Sequence, residues 1–266
     1  MEMTVSYIIV KTVWFFTAVV AVGKPLRTMD KSQNQDVDTL TSDIEAARST
    51  PVVRESRLAN PNPLGFGAFA TTLMTLSLSN MGFRGVSNQT VFIADLCLLA
   101  GFGLLISAQW EMVRGGTFGY TVLAAFGLYY AGYGVLLMPS MGITNAYGGQ
   151  TTEYYNAFGF YLLVWSILNF FFFIASLATN IPNIIIYSAL ELSYIFNCAA
   201  HFTIADGNAA MGTALTKASG AFGFVSALAG FYMLCHDLCQ DALPFKLPLC
   251  ETRGPFRGRK SFIKET

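Results

Sequence analysis

The residues with the clearest chemical potential lie on one face of a helix inside an apolar segment. They recur at intervals of three, four and seven, the spacing of a single helical face. Their members are Tyr187, Leu190, Glu191, Tyr194, Asn197 and His201. Polar groups that faced lipid would lack hydrogen-bond partners, so this stripe is expected to face a bundle interior or a water-filled path. We favour the water-filled path, and hydrogen bonding between helices is the alternative.

Glu191 supplies the acid chemistry of the stripe. A charge near the middle of a membrane helix costs roughly 2.5–3.5 kcal/mol on insertion scales, so it must be paired, hydrated or protonated. Glu191 is therefore a candidate proton carrier, with Tyr194 and Asn197 as hydrogen-bonding neighbours on or beside its face. The alternative is a structural bond to a neighbouring helix. His201 is expected to make an interfacial hydrogen bond or to relay protons.

A second stretch, Asn60-Pro61-Asn62-Pro63-Leu64-Gly65, marks the change from polar to apolar sequence. Proline disfavours helix in the residue before it, so Asn60 and Asn62 are predicted to be non-helical. Asn62 then serves as N-cap and Pro63 as first helical residue. The free N–H groups and the dipole of such a helix favour an anion such as a carboxylate. The stretch predicts either an anion site where substrate enters or a simple helix start.

The elements that hold these residues are predicted to be membrane helices. Of 266 residues, 53% are hydrophobic and 12% are charged, and the mean hydropathy is +0.48. Six apolar segments approach the roughly 20 residues that cross a bilayer. They are Leu64–Met81, Val91–Trp110, Thr117–Met138, Ala157–Ala178, Pro182–Phe202 and Ala209–Leu234. Small residues four apart, such as Ser219 and Gly223, predict close packing. The predicted fold class is an all-α membrane protein with a six-helix bundle.

These segments divide the chain into a membrane domain, residues 60–234, and two polar tails. In the N-terminal tail, residues 1–59, the part from 29 to 59 is predicted to be disordered. Residues 1–28 are interpreted as an over-extended gene model or as a further apolar segment on or across the membrane. The C-terminal tail, residues 235–266, is basic and is also expected to be disordered. Lys and Arg concentrate in both tails, which are therefore predicted to be cytoplasmic.

Several function classes find no support in the sequence. The net charge is zero, which argues against a nucleic-acid partner. Five cysteines are scattered, so neither a disulfide framework nor a zinc pattern is predicted. Glycine pairs lie inside the apolar segments, where they cannot cradle phosphate, and no catalytic triad is apparent. We therefore predict no enzyme activity, no metal and no cofactor.

Motifs along the chain resemble those of the acetate uptake transporter family, which includes bacterial succinate–acetate permeases and fungal acetate and ammonia-export proteins. The opening stretch matches Asn-Pro-x-Pro-Leu-Gly, with Asn62 in place of alanine or valine. Glu111 and the turn at 115–119 resemble an acidic residue and Asn-Thr-Phe-Gly, with Gly116 replacing asparagine. Further matches lie at residues 126–130, 137–142, Trp165 and 217–223. The resemblance covers residue 60 to about residue 234 and rests on the order of these motifs.

The resemblance implies a six-helix bundle with its own central pore, assembled into a hexamer. Three hydrophobic side chains narrow the pore in the family, and by motif these are Phe69, Phe126 and Leu190. Phe126 replaces a tyrosine, and Leu104 stands where the family has a glutamine, so a drier pore is expected.

Two further residues are candidates for lining the pore or handling protons. Thr72 shares a helical face with Phe69 and Ser79 in the first span, and Glu111 follows from the motif match. For the face of Thr72, hydrogen bonding between helices and a pore are equally open.

The predicted function is therefore a plasma-membrane transporter or channel for acetate and other short monocarboxylates, coupled to protons. One alternative keeps the fold but exports ammonium or ammonia. Another is a membrane sensor that signals acetate through its tails without transporting it. The partners expected are a small carboxylate, protons, membrane lipid and further copies of the chain.

Overall fold

The computed structural model describes residues 59–240, 242–245 and 247–252, and the regular structure in those ranges is helical apart from one isolated bridge between Asn180 and Glu251. The α-helices are α1 (Asn62–Asn80), α2 (Gly103–Val113), α3 (Thr117–Leu137), α4 (Ile143–Ala146), α5 (Thr152–Ser176), α6 (Ile181–Ala205) and α7 (Ala209–Cys239). A π-helical stretch, Asp95–Phe102, leads into α2. The predictions for residues 1–28, for the disordered N-terminal tail and for the basic residues after 252 concern parts of the chain outside these ranges. The prediction of disorder from residue 235 onwards was wrong for residues 247–252, because the N–H of Thr252 donates to the carbonyl of Thr179 at 3.2 Å and the N–H of Ile181 donates to that of Leu249 at 3.3 Å.

Five helical segments of the described ranges are long and apolar enough to cross a membrane. They are Thr90–Val113, Thr117–Leu137, Thr152–Ser176, Ile181–Ala205 and Ala209–Cys239. Each corresponds to one of the six predicted spans. Helix α1 is not among the five, because Asn62, Pro63 and several hydroxyl residues lower the mean hydropathy of its 19 residues.

The start of α1 corrects one prediction. Asn62 is the first helical residue and Pro61 is the N-cap, so the prediction that Asn62 is non-helical was wrong. A proline is tolerated in the first turn of a helix, because the N–H that it lacks would have no partner in the helix. Asn60 performs the capping instead, since its side-chain oxygen accepts a hydrogen bond from the N–H of Asn62 at 3.2 Å.

Two other helix boundaries extend past the predicted spans. Helix α5 begins at Thr152, and the hydroxyl oxygen of its N-cap Thr151 accepts a hydrogen bond from the N–H of Tyr154 at 3.3 Å. The sequence placed that start at Ala157, where the apolar run begins. Helix α7 ends at Cys239 instead of Leu234. Hydropathy marks where lipid contact is favourable, whereas a helix continues until its backbone is capped.

The long helices pack side by side around a central core. Helix α1 contacts α2 and α7, α6 contacts α5 and α7, and α3 contacts α2 and the π-helical stretch. Helices α3 and α5 meet through aromatic rings, with centroids 4.8 Å apart for Tyr129 and Trp165. Where α1 crosses α7, a Cβ added at Gly223 would lie 2.6 Å from Oγ of Ser77. Only glycine permits that approach, as the small-residue spacing predicted.

Candidate functional site

A cavity of about 40 Å³ lies between α1, α3 and α6. That volume is enough for roughly three water-sized probes, since a site for one water needs about 10–15 Å³. Its apolar lining comes from Leu73, Leu76 and Leu190, and α3 adds three tyrosines, Tyr129, Tyr130 and Tyr133. Its other lining residues are Ser77, Asn80, Ser193, Tyr194 and Asn197. The cavity therefore combines an aromatic wall with neutral hydrogen-bonding groups.

The aromatic wall is centred on Tyr129. Its ring contacts the rings of Tyr130 at 5.4 Å, Tyr194 at 5.5 Å and Tyr161 at 6.0 Å between centroids. Such edge and stacked contacts hold large side chains in fixed positions. Because Tyr129 also contacts Trp165 on α5, the wall of the cavity is continuous with the seam between α3 and α5.

One hydroxyl of a cavity-lining residue has no hydrogen-bond partner within the described residues. It is Oγ of Ser77, whose side chain is buried. Nearby on the wall, Oγ of Ser193 lies 3.2 Å from Oγ of Ser219. Buried polar groups are almost always paired, so this hydroxyl calls for a water or another polar partner.

The predicted stripe of α6 divides between two surroundings. Leu190, Tyr194 and Asn197 line the cavity. Tyr187 stacks on Phe126, with ring centroids 6.4 Å apart. Glu191 and His201 are not among the cavity-lining residues.

Glu191 is held by α5. Its Oε1 accepts a hydrogen bond from Oγ of Ser166 at 2.6 Å, and its Oε2 accepts one from Nδ2 of Asn169 at 2.7 Å. The sequence instead predicted Tyr194 and Asn197 as its hydrogen-bonding neighbours. Asn169 is fully buried and also donates to the backbone carbonyl of Tyr187 at 3.2 Å. Sequence reasoning missed Ser166 and Asn169, although their spacing of three places both on one face of α5.

His201 lies against α5 at its other end. Its ring stacks on Phe158 with centroids 4.7 Å apart, and its Nδ1 is 2.9 Å from the backbone oxygen of Asn197. The contact to a backbone oxygen on its own helix ties down one ring nitrogen.

The three residues predicted to narrow a pore are brought together. Phe69, Phe126 and Leu190 are all buried in one hydrophobic cluster. The rings of Phe69 and Phe126 are 5.9 Å apart, and the edge of Tyr130 meets Phe69 at 6.4 Å. Leu190 and Tyr130 also line the cavity, so the cluster adjoins it directly. Leu104 is fully buried.

Thr72, one turn from Phe69, is fully buried as well. Its Oγ1 has no hydrogen-bond partner within the described residues, and it is not a lining residue of the cavity. Its backbone oxygen accepts a hydrogen bond from Oγ1 of Thr75 at 2.9 Å.

The opening stretch docks on the end of α2. Oγ of Ser107 donates to the carbonyl of Pro61 at 2.7 Å, and a Cβ added at Gly65 would lie 2.8 Å from that Oγ. Nη1 of Arg114 donates to the side-chain oxygen of Asn60 at 3.0 Å. Sequence reasoning missed Arg114, whose signal was a cation one turn after Glu111. A cation therefore stands beside the start of α1.

Glu111 lies in the last turn of α2, beside the turn that leads to α3, and does not line the cavity. Its Oε1 pairs with Nη1 of Arg114 at 3.2 Å. A Cβ added at Gly119 would lie 2.7 Å from its Oε2, and Gly116 is crowded by the same oxygen. The glycines of the turn therefore make room for a carboxylate beside the start of α3, where the helix dipole favours negative charge.

The residues that the structure describes do not form a candidate metal site. No group of three or more His, Cys, Asp or Glu residues among them could hold a metal ion.

Comparison with known proteins finds one matching family and individual transport proteins that are similar to this chain. A sequence model of the GPR1/FUN34/yaaH family matches residues 45–250. The chain is 36% identical over 232 residues to acetate transporter protein patA of Penicillium expansum, covering 87% of this chain and 93% of that protein. It is 30% identical over 176 residues to ammonia transport outward protein 2 of Saccharomyces cerevisiae, covering 66% of this chain and 60% of that protein.

A solved structure has the same fold. The bacterial acetate channel SatP matches with a TM-score of 0.61 and 24% sequence identity, covering 73% of this chain and 99% of that chain.

Proposed function

This chain belongs to the GPR1/FUN34/yaaH family, and we propose that it moves acetate and other short monocarboxylates across a membrane. The family resemblance inferred from the sequence motifs is confirmed. With five helical segments suited to crossing a bilayer and transporters among its relatives, it is a multi-pass membrane protein. We propose transport, as a carrier or a channel, and no catalysis.

The observation that carries the proposal is the cavity beside Leu190, with the unpaired hydroxyl of Ser77 on its wall. A small carboxylate has one apolar and one polar end. The leucines and aromatic rings suit the apolar end, and the hydroxyl and amide groups of Ser77 and Asn197 can donate to the oxygens. The path continues from the cavity through the cluster of Phe69, Phe126 and Leu190, which forms the narrow point.

The proposal includes a proton. All lining residues of the cavity are neutral at pH 7 within the described ranges. An unpaired anion in such surroundings pays a large desolvation cost, whereas the neutral acid, or an anion accompanied by a proton, does not. Glu191 follows Leu190 directly in the chain and is the nearest candidate in sequence for supplying that proton.

The proposed architecture has six spans: the five segments given above and, ahead of them in the chain, α1. Helix α1 packs against α7 and against α2, the last part of the spanning segment Thr90–Val113, and it supplies part of the cavity wall. We further propose a plasma-membrane location, both tails on the cytoplasmic side as the Lys and Arg distribution favours, and assembly into a hexamer in contact with lipid.

A second cargo, ammonium, has a specific feature in its favour. Tyrosine faces attract cations, and four tyrosines line the cavity: Tyr129, Tyr130, Tyr133 and Tyr194. One of the relatives is an ammonia transport protein. Carboxylate is the preferred cargo because leucines share the lining and suit an apolar methyl group.

Uptake of labelled acetate in cells that lack their own carrier tests the proposal. We expect saturable uptake that is absent from cells with an empty vector, and labelled methylammonium measured in parallel separates the two cargoes. Signalling by acetate without uptake of either solute would assign the chain to a sensor and overturn the proposal.

A further inference from the structure

We propose that Gln89, in the loop between α1 and the π-helical stretch, is a specificity-determining residue that closes one end of the cavity. Its Nε2 donates a hydrogen bond to Oδ1 of Asn80 at 2.7 Å. Its Oε1 accepts one from the hydroxyl of Tyr133 at 3.1 Å. Both partners line the cavity, Asn80 from α1 and Tyr133 from α3. Gln89 therefore bridges two walls of the cavity without belonging to either helix.

The position of the bridge along the helices shows which end it closes. Asn80 is the last residue of α1, and Tyr133 lies one turn before the end of α3. Asn197 is on the third wall, in the half of α6 that precedes its end. In the proposed six-span architecture α1, α3 and α6 are the first, third and fifth spans and therefore run in the same direction, so these polar residues mark a common end. A solute that enters between α1 and α3 at this end meets Gln89.

The chemistry of the bridge suits a barrier that opens reversibly. A neutral hydrogen bond contributes only about 0.5–1.5 kcal/mol net, so thermal motion can part the bridge. The amide of Gln89 keeps a second N–H and a second lone pair free of these two bonds. When the bridge parts, Asn80 and Tyr133 each present a polar group to an entering carboxylate. Small acids need only a brief separation of α1 and α3, and longer acids need a wider one.

This inference rests on the proposed function for the identity of the solute. The closing of the cavity by Gln89 does not depend on it. Access to the cavity can be measured without transport, by the rate at which a thiol placed on the cavity wall reacts. Ser193→Cys places that thiol on α6, and a charged, water-soluble thiol reagent is added to open membrane fragments so that orientation does not matter. The same chain without Ser193→Cys corrects for its five native cysteines.

Gln89→Ala tests the bridge, and Gln150→Ala is its matched control. Gln150, in the loop before α5, also accepts a hydrogen bond from a tyrosine, Tyr155, at 2.9 Å, but neither residue lines the cavity. We expect Gln89→Ala to raise the thiol reaction rate about fivefold, which corresponds to the loss of about 1 kcal/mol. Gln150→Ala should leave the rate unchanged. Equal rates in both variants would overturn the proposal.

A second variant and a transport readout complete the test. Tyr133→Phe removes one bond of the bridge but keeps the ring, so it decides the outcome if Gln89→Ala does not accumulate; we expect a smaller rise of the same sign. In uptake assays, Gln89→Ala should raise the uptake rate of butyrate relative to that of acetate. If neither the native chain nor any variant takes up an acid, the proposed function fails. The thiol reaction rates still show whether Gln89 closes the cavity. A lower thermal stability of Gln89→Ala with an unchanged thiol reaction rate would show that Gln89 only stabilises the fold, and would overturn the proposal.

Discussion

The carboxylate of Glu191 on α6 accepts a 2.7 Å hydrogen bond from the side-chain amide of Asn169 on α5. The other face of that amide, Oδ1 of Asn169, is buried and has no partner within the described residues. If the amide reorients, it can offer its oxygen to a protonated Glu191 as readily as its N–H groups to an ionised one. Asn169 can therefore hydrogen-bond to Glu191 in either protonation state.

Glu191→Gln tests whether this carboxyl handles the proton that travels with the cargo. The glutamine can keep bonds to Ser166 and, after the amide of Asn169 reorients, to Asn169, so we expect normal membrane abundance. Because glutamine cannot gain or lose a proton, the dependence of acetate uptake on pH should flatten between roughly pH 5 and 7. The measurement is initial uptake across that range at constant acetic acid concentration. A profile that matches the native protein would leave Glu191 as a bond between helices.

Glu191→Leu tests the structural role of the same residue. Leucine removes both acceptors, so Ser166 loses its partner and Asn169 keeps only its bond to the carbonyl of Tyr187, which we expect to destabilise the protein by about 1–3 kcal/mol. The thermal stability of the protein purified in detergent should fall below that of Glu191→Gln. Equal stability of the two variants would show that the bonds between α5 and α6 contribute little.

The proposed constriction predicts a change in the ranking of acids. Phe69→Ala and Leu190→Ala remove bulk where the rings and the leucine meet, so larger acids such as succinate or lactate should gain relative to acetate. Both changes also leave a cavity that costs about 2–5 kcal/mol, so uptake is divided by membrane abundance. Leu162→Ala is the control, since Leu162 is equally buried on α5 but does not line the cavity. An unchanged ranking in both test variants would contradict the assignment.

Periodicity predicted the stripe of α6 but could not divide it. Leu190, Tyr194 and Asn197 follow one another at intervals of four and three, and all line the cavity. Glu191 is one residue after Leu190, which turns its side chain about 100° around the helix, towards α5. A stripe that wide reaches both a cavity and a neighbouring helix, and which part faces which depends on the packing of α5.

The long helices were predictable because each carries a long apolar run, whereas the residues that link them were not. Arg114, Asn169 and Gln89 are ordinary polar residues in sequence, and their partners lie on other segments. The π-helical stretch Asp95–Phe102 was also missed, because a shift of backbone hydrogen bonds by one residue leaves the apolar pattern of a short segment nearly intact.

Gly65→Leu should lower the amount of folded protein. A Cβ alone at this position would lie 2.8 Å from Oγ of Ser107 and 3.0 Å from Leu123, so a leucine must push α1 away from its neighbours. We expect reduced membrane abundance and reduced thermal stability. Gly67→Ala is the control, because its added Cβ would meet Leu234 at an ordinary contact distance of 3.6 Å. Normal abundance of Gly65→Leu would show that α1 and α2 separate easily.

Asn60 offers the cleanest test of an anion site at the start of α1. Asn60 is exposed, so Asn60→Ala should leave abundance nearly unchanged while uptake falls by about two- to fivefold, in line with the 0.3–1 kcal/mol typical of charges at helix ends. Asn60→Asp separates the two interpretations of the stretch. Aspartate keeps an oxygen for the N–H of Asn62 and for Arg114, but its charge occupies the helix start and repels a carboxylate. We therefore expect the Asp variant to lose at least as much uptake as the Ala variant, and less so at high salt. Native uptake by Asn60→Asp would instead show that only the cap matters and that the stretch is a simple helix start.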